Sequence, residues 1–168
     1  MHRLTGCLFL FSAAAAAQFT SIEVRFRGVG CASCIESMPG RLQRLRGVEQ
    51  VSVDATAGIV RIQLNEINRV RIEQVRDTLE QDGTKTLSAS VRVSGMIRKE
   101  DTGWLIRPGG LPSSYRVDLD QAPEAAREAI QEGLFEIRGQ IEPLRSSEGL
   151  LRIRATEIRP IARPGVGR

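Results

Sequence analysis

The sequence predicts an α+β protein: a βαββαβ unit followed by a smaller, mostly β unit. Three observations predict it. Residues 20–27 (TSIEVRFR) alternate, with Ile22, Val24 and Phe26 on one face and Glu23, Arg25 and Arg27 on the other, the period of a half-buried strand. From Ser33 the apolar period becomes helical, and the two periods then take turns to about residue 90. Beyond that point short apolar runs separated by polar turns dominate, with a single helical stretch among them.

The elements follow in order. After the first strand, Gly28 and Gly30 open a loop that carries Cys31. Ile35, Met38, Leu42 and Leu45 fall at helical spacing, and Gly47 stops the run. Pro39-Gly40 lies inside this helix, where proline removes a backbone hydrogen bond and should kink or delay it. Val48, Val51 and Val53 make a strand, ATAG (55–58) a turn, and Ile59 to Leu64 the returning strand of a hairpin. Val70, Ile72, Val75 and Leu79 place a second helix over roughly 69–82, closed by Asp82-Gly83, and a strand follows from about Thr84. This order is the split βαβ arrangement of a ferredoxin-like domain, expected over 18–90.

In the second unit, expected over 91–158, Val91, Val93, Met96 and Ile97 are strand-like, and Trp104 to Ile106 follows the polar turn KEDTG. Tyr115 to Leu119 is a third strand. APEAAREAIQE (122–132) is a helix with Asp120 as N-cap and Gly133 as stop. Phe135, Ile137 and Ile141 mark a strand interrupted by Gly139, and LLRIRATEI (150–158) the last. Five strands with one helix between the third and fourth is the layout of a small OB-like β-barrel domain, and glycines within strands at 95 and 139 suit its bends. No linker rich in Pro, Gly or Ser separates the units. RPIARPGVGR (159–168) reads as a disordered tail.

The N-terminus has the make-up of an export signal. A short basic start precedes the apolar or small run LTGCLFLFSAAAAA, and Ala15 and Ala17 satisfy the small-x-small rule before Gln18. The run is shorter than the roughly 20 residues that span a bilayer, and the cysteine of LTGC precedes the apolar run instead of following it, unlike a lipoprotein signal. Residues 1–17 are therefore expected to be a signal peptide, and the mature protein to lie in the periplasm or outside the cell, with no transmembrane segment. Cleavage would remove Cys7 and His2, the only histidine. A chain without histidine cannot build a Ser-His-Asp triad or an imidazole metal site, and no paired carboxylates stand out, so an enzyme is not expected. The formal charge is +4, but its arginines are interleaved with acids instead of gathered in blocks, which does not point to nucleic acid. Met38 falls on the apolar helix stripe, and Trp104, Tyr115 and Phe135 are scattered; all four are expected in the core.

Cys31-Ala-Ser-Cys34 carries the chemistry. This spacing puts two sulfurs within one turn, where they can bridge one ion or each other. Free N–H groups and the dipole at a helix start favour the thiolate, and Arg25 and Arg27 are close in sequence. Soft thiolates prefer Cu(I), and zinc also accepts them, but a closed zinc site needs four ligands, and no second CxxC, histidine or acidic cluster supplies the rest. Three readings stay open: a soft-metal site, a Cys31–Cys34 disulfide in a structural or interaction protein with an OB-like binding surface, and a thiol oxidoreductase. The third lacks thioredoxin-like element order and a Trp before Cys31.

GVGCASC, followed by IESMPGRLQRLRGVEQVSVDATAGIVRI, resembles the heavy-metal-associated domain family over about residues 20–90. Cys31 and Cys34 stand at its ligand cysteines, Met38, Leu42 and Leu45 at its apolar helix positions, and Gly47-Val48 opens its strand. Val29 stands where that family usually has Met, and Gly30 where it has Thr, His or a similar residue. The resemblance implies a protein that holds Cu(I), Hg(II), Zn(II) or a similar ion through Cys31 and Cys34 for transport, transfer or resistance, with a metal-transporting membrane protein as a possible partner, and the N-terminal segment adds the expectation that it is exported. It also places Lys85 where relatives carry a Lys or an aromatic residue near the site.

Overall fold

A computed structural model describes residues 18–28, 31–109, 111–145 and 149–162. The expected signal peptide, Val29, Gly30 and the last six residues of the expected tail lie outside the described residues. The chain runs β1 (Phe19–Arg27), α1 (Ala32–Gln43), β2 (Val48–Asp54), β3 (Ile59–Leu64), α2 (Ile72–Glu80), β4 (Lys85–Glu100), β5 (Gly103–Pro108), β6 (Tyr115–Asp118), α3 (Glu124–Ala129), β7 (Gly133–Ile141) and β8 (Arg152–Pro160). The first six elements have the βαββαβ order, and their strands lie in the sequence β2-β3-β1-β4, as a ferredoxin-like unit requires.

The expectation of a separate OB-like β-barrel domain is corrected. The strands belong to a single eight-stranded sheet, β2-β3-β1-β4-β5-β6-β8-β7, with an additional β4–β7 pairing. The reason is β4. The run expected to close one domain and the run expected to open the next are one strand of 16 residues. Ala89 to Val93 pair with β1 on one edge and β7 on the other. From Gly95 the first edge passes to β5 while β7 stays on the second. At the handover the Ser94 N–H donates to Gln18 O at 2.9 Å, so no N–H is left unpaired where the partner changes. With no linker sequence to bend the chain at 88–91, the alternation of Ala89, Val91 and Val93 carries straight through to Ile97, and all four are buried.

One apolar cluster serves both halves. It joins Ile22, Val24, Ile62, Met38, Leu42, Val75 and Leu79 to Ile106, Tyr115, Ile137 and Ile153. Tyr115 of β6 is fully buried and meets Phe19 of β1 edge-to-face, ring centroids 5.4 Å apart. Its hydroxyl donates to Glu73 Oε2 of α2 at 3.3 Å, and burial together with the Glu73 carboxylate holds the phenol well above its ordinary pKa. Arg76 of α2 also reaches across to Leu144 O at 2.9 Å. Met38, Tyr115 and Phe135 are core residues, as expected, while Trp104 is half-buried with the Lys99 ammonium 5.8 Å from its ring centroid.

Local differences from the sequence reading have local causes. Helix α1 starts at Ala32 and continues through Pro39. Helix α2 starts at Ile72 instead of about 69, because Asn68 bonds the preceding backbone: its Oδ1 accepts from Val70 N, and its Nδ2 donates to Phe19 O and Asn65 O. Helix α3 is only six residues, with Pro123 and not Asp120 at its N-cap, and β8 extends to Pro160. Gly95 and Gly139, expected at the bends of a barrel, mark close backbone approach instead: a Cβ on Gly95 would lie 2.6 Å from Arg107 O, and one on Gly139 would collide with Arg154 O. Gly40 in α1, by contrast, has open space around it. Gly139→Ala is therefore expected to destabilise the protein by about 1–3 kcal/mol. Gly40→Ala is expected to stabilise it by about 0.5–1 kcal/mol. Urea unfolding of the two variants beside the parent checks both signs.

Candidate functional site

The two cysteines sit where β1 hands over to α1. Cys31 has extended backbone and is the N-cap of α1, and Cys34 lies in the first turn. The Cys34 N–H donates to Cys31 Sγ at 3.1 Å, so a sulfur takes the place that a Ser or Asp oxygen fills in most caps. Cys31 Sγ also lies 3.2 Å from Ser33 Oγ. Cys31 is exposed and Cys34 half-buried, so a partner can reach both from solvent. The pair is joined as a disulfide, with Cα atoms 5.2 Å apart. The helical period in the sequence begins at Ser33; the structure starts the helix one residue earlier and gives the capping role to Cys31. In either position a thiolate faces the free N–H groups and the positive end of the helix dipole, which stabilise it.

What fixes the helix that carries the cysteines was not read from the sequence. Arg41, on α1, pairs with Asp82 at 2.5 Å, and Asp82 Oδ1 accepts from Thr84 Oγ1 at 2.6 Å and Thr84 N at 3.1 Å. Both side chains of the pair are largely buried, and Arg41 Nε is buried without a hydrogen-bond partner. Burial pushes the Asp82 carboxyl up, but the bonds from Thr84 and then Arg41 outweigh it and hold its pKa below the ordinary value. In the sequence, Asp82 stood out only as the residue before a helix-stopping glycine. The signal that could have found the pair is an acid and a hydroxyl two residues apart in a turn, opposite an arginine on the neighbouring helix. Glu80 plays a similar part at the end of α2, holding Thr86 and Arg145.

The other residues singled out lie apart from the sulfurs in role. Met38 is fully buried in the core. Lys85 is exposed at the start of β4, directly opposite Arg27 across the β1–β4 ladder. Arg25 and Arg27 lie on the last turnings of β1. Among the described residues no cluster of three or more His, Cys, Asp and Glu side chains is placed to hold a metal ion, and no helix is long and apolar enough to cross a membrane.

Comparison with known proteins gives one family. Residues 23–85 match the model of the heavy-metal-associated domain. No curated protein matches. Among solved structures, the chain is similar to the yeast copper transporter domain Ccc2a (16% identity, 40% of this chain and 90% of that one, TM-score 0.36). It is likewise similar to the CopZ metallochaperone (22% identity, 40% and 100%, TM-score 0.37). A third is a copper-ion-binding protein from Bacillus anthracis str. Ames (23% identity, 44% and 99%, TM-score 0.34). The family match covers residues 23–85, and each of these likenesses covers less than half of this chain.

The Arg41–Asp82–Thr84 contact predicts a pH dependence. The Asp82 pKa is lower folded than its ordinary 3.8, so its contribution is present above that value and lost as pH falls through the folded one. Asp82→Ala is expected to lose about 1–3 kcal/mol at neutral pH. The gap between variant and parent is expected to shrink toward zero in acid, as read by thermal melts across pH 2–7.

Proposed function

We propose that the protein binds a soft metal ion, Cu(I) or Hg(II), between the reduced thiolates of Cys31 and Cys34, and passes it by ligand replacement to a partner such as a metal-transporting membrane protein. The observation that carries this reading is the placement of both sulfurs on the first turn of α1, open to solvent, within the segment that matches the heavy-metal-associated domain. Two sulfurs satisfy an ion content with linear two-fold coordination, whereas zinc needs more ligands than the described residues gather. The export signal read from residues 1–17 sets this activity in the periplasm or outside the cell.

Transfer has a simple stereochemical route in this site. Cys31 is the more exposed sulfur, so an incoming thiolate adds to the ion from its side, and Cys31 is the first to leave. Cys34, anchored in the helix, leaves last. The disulfide form cannot bind the ion. Two external thiols, which become a disulfide, or one phosphine and a water, which become the phosphine oxide, must first convert it to two thiols, and these lose their protons to the solvent as the metal binds.

The bonded pair favours a second reading, in which the disulfide closes the loop of a structural or interaction protein in an oxidising compartment. Titration separates the two. The reduced protein is expected to bind one equivalent of Cu(I) in competition with a chromophoric Cu(I) chelator, and the Cys31→Ser/Cys34→Ser variant none. Equal binding by both proteins would refute the metal site. A pair found wholly oxidised and metal-free in protein taken anaerobically from its native compartment would favour the disulfide reading.

A further inference from the structure

Helices α1 and α2 pack on one face of the first four strands, and the opposite face of those strands carries Ser21, Glu23, Arg61 and Ser90. On that opposite face a groove of about 440 Å³ crosses β3, β1, β4, β7 and β8. It exists only because β4 joins the two halves, and it is separate from the cysteines. Strand register lays its residues in rows. Ser21 lies opposite Gln63 on one side and Arg92 on the other; Arg92 lies opposite Arg138, and Arg138 opposite Glu157. In the adjacent row, Arg61 faces Glu23, Glu23 faces Ser90, and Ser90 faces Gln140.

Arg92 directly opposite Arg138 is an unfavourable placement. Like charges at opposed positions of neighbouring strands repel. The surrounding carboxylates relieve this only in part. Glu136 stands 3.6 Å from Arg92 Nε and Glu157 3.6 Å from Arg138 Nη1, both beyond hydrogen-bond length, and Glu157 is shared with Arg159 at 3.2 Å. Glu23, the one carboxylate that lines the groove, is held by Arg61 Nε at 2.8 Å. Among the described residues the side chains of Ser21, Ser90, Gln63 and Gln140 have no hydrogen-bond partner, so their donors remain available to the groove. Three arginines line it against one acid. Paired guanidiniums with hydroxyl and amide donors at their sides form a receptor for oxyanions, which accept several charge-assisted bonds at once.

We propose that this groove binds a small oxyanion of the phosphate type, held between the guanidiniums of Arg92 and Arg138 with Ser21 and Ser90 donating beside them. The chemistry belongs to a free phosphate or diphosphate group or to a phospholipid headgroup.

The test is calorimetric titration of the intact protein with sodium pyrophosphate at low ionic strength. Saturable one-to-one binding is expected, weakened about tenfold or more in Arg92→Gln/Arg138→Gln. Arg46→Gln/Arg98→Gln removes the same charge elsewhere and is expected to bind as the parent does. Cys31→Ser/Cys34→Ser is also expected to bind pyrophosphate normally, which keeps this site's fate independent of the metal site's. Unliganded Arg92→Gln/Arg138→Gln should melt at or above the parent's temperature, because a repulsion has been removed, and pyrophosphate should raise the melting temperature of the parent and of the two control variants but not that of Arg92→Gln/Arg138→Gln. Co-sedimentation with phosphatidylglycerol vesicles separates the sources: binding lost in Arg92→Gln/Arg138→Gln assigns the headgroup, and pyrophosphate binding without vesicle binding assigns the free anion. Absence of saturable pyrophosphate binding, or equal weakening by the two arginine double variants, would overturn the proposal.

Discussion

The structure depends on the double pairing of β4. Residues 89–93 of that strand hold β1 on one edge and β7 on the other, and residues 95–97 hold β5 and β7. A strand flanked on both edges spends all its backbone donors and acceptors internally. Neither half can detach without exposing them, and the apolar cluster that spans Phe19 and Tyr115 would be opened by the same separation. The ferredoxin-like half that carries Cys31 and Cys34 is thus built into a larger sheet in place of standing alone as a module. Its open sheet face consequently becomes one wall of a groove whose other wall is β7 and β8.

The site follows a different rule. The cysteines stand at the end of the sheet, exposed, on a helix whose rear is fixed twice: by Met38 and Leu42 in the core and by Arg41 on Asp82. Rigidity behind and exposure in front suit a group that must meet a partner's thiolate without reorganising its own backbone. The same exposure lets oxidant reach the sulfurs, and the geometry of one helical turn brings them close enough to bond. The proposed metal binding and the disulfide are therefore competing uses of the same two atoms, and the redox poise of the compartment would select between them.

The sequence shows periodicity plainly and strand identity poorly. The alternation of Ile22, Val24 and Phe26, the helical stripe of Met38 and Leu42, and the hairpin around residues 55–58 were all legible because each is set by local spacing. Glycines 95 and 139 were noticed but read as barrel bends, whereas they serve close backbone approach between neighbouring strands. Whether two successive apolar runs are two strands or one is not a local property, and the run through residue 90 was divided where the chain does not divide. The start of α2 was misplaced because an Asn side chain competed with the helix for its backbone groups. At the site, the spacing of Cys31 and Cys34 was enough to place the two sulfurs within bonding reach, but Arg41, Asp82 and Thr84 come together only through the tertiary packing of α1 on the turn after α2.

The claim most central to this account is that two cysteine sulfurs, and nothing else in the protein, hold the ion. Copper K-edge X-ray absorption on phosphine-reduced protein loaded with one equivalent of Cu(I), free of added thiol, measures that directly. The account predicts a linear shell of two sulfur scatterers. A shell containing nitrogen or oxygen neighbours, or a third sulfur from buried Met38, would contradict it.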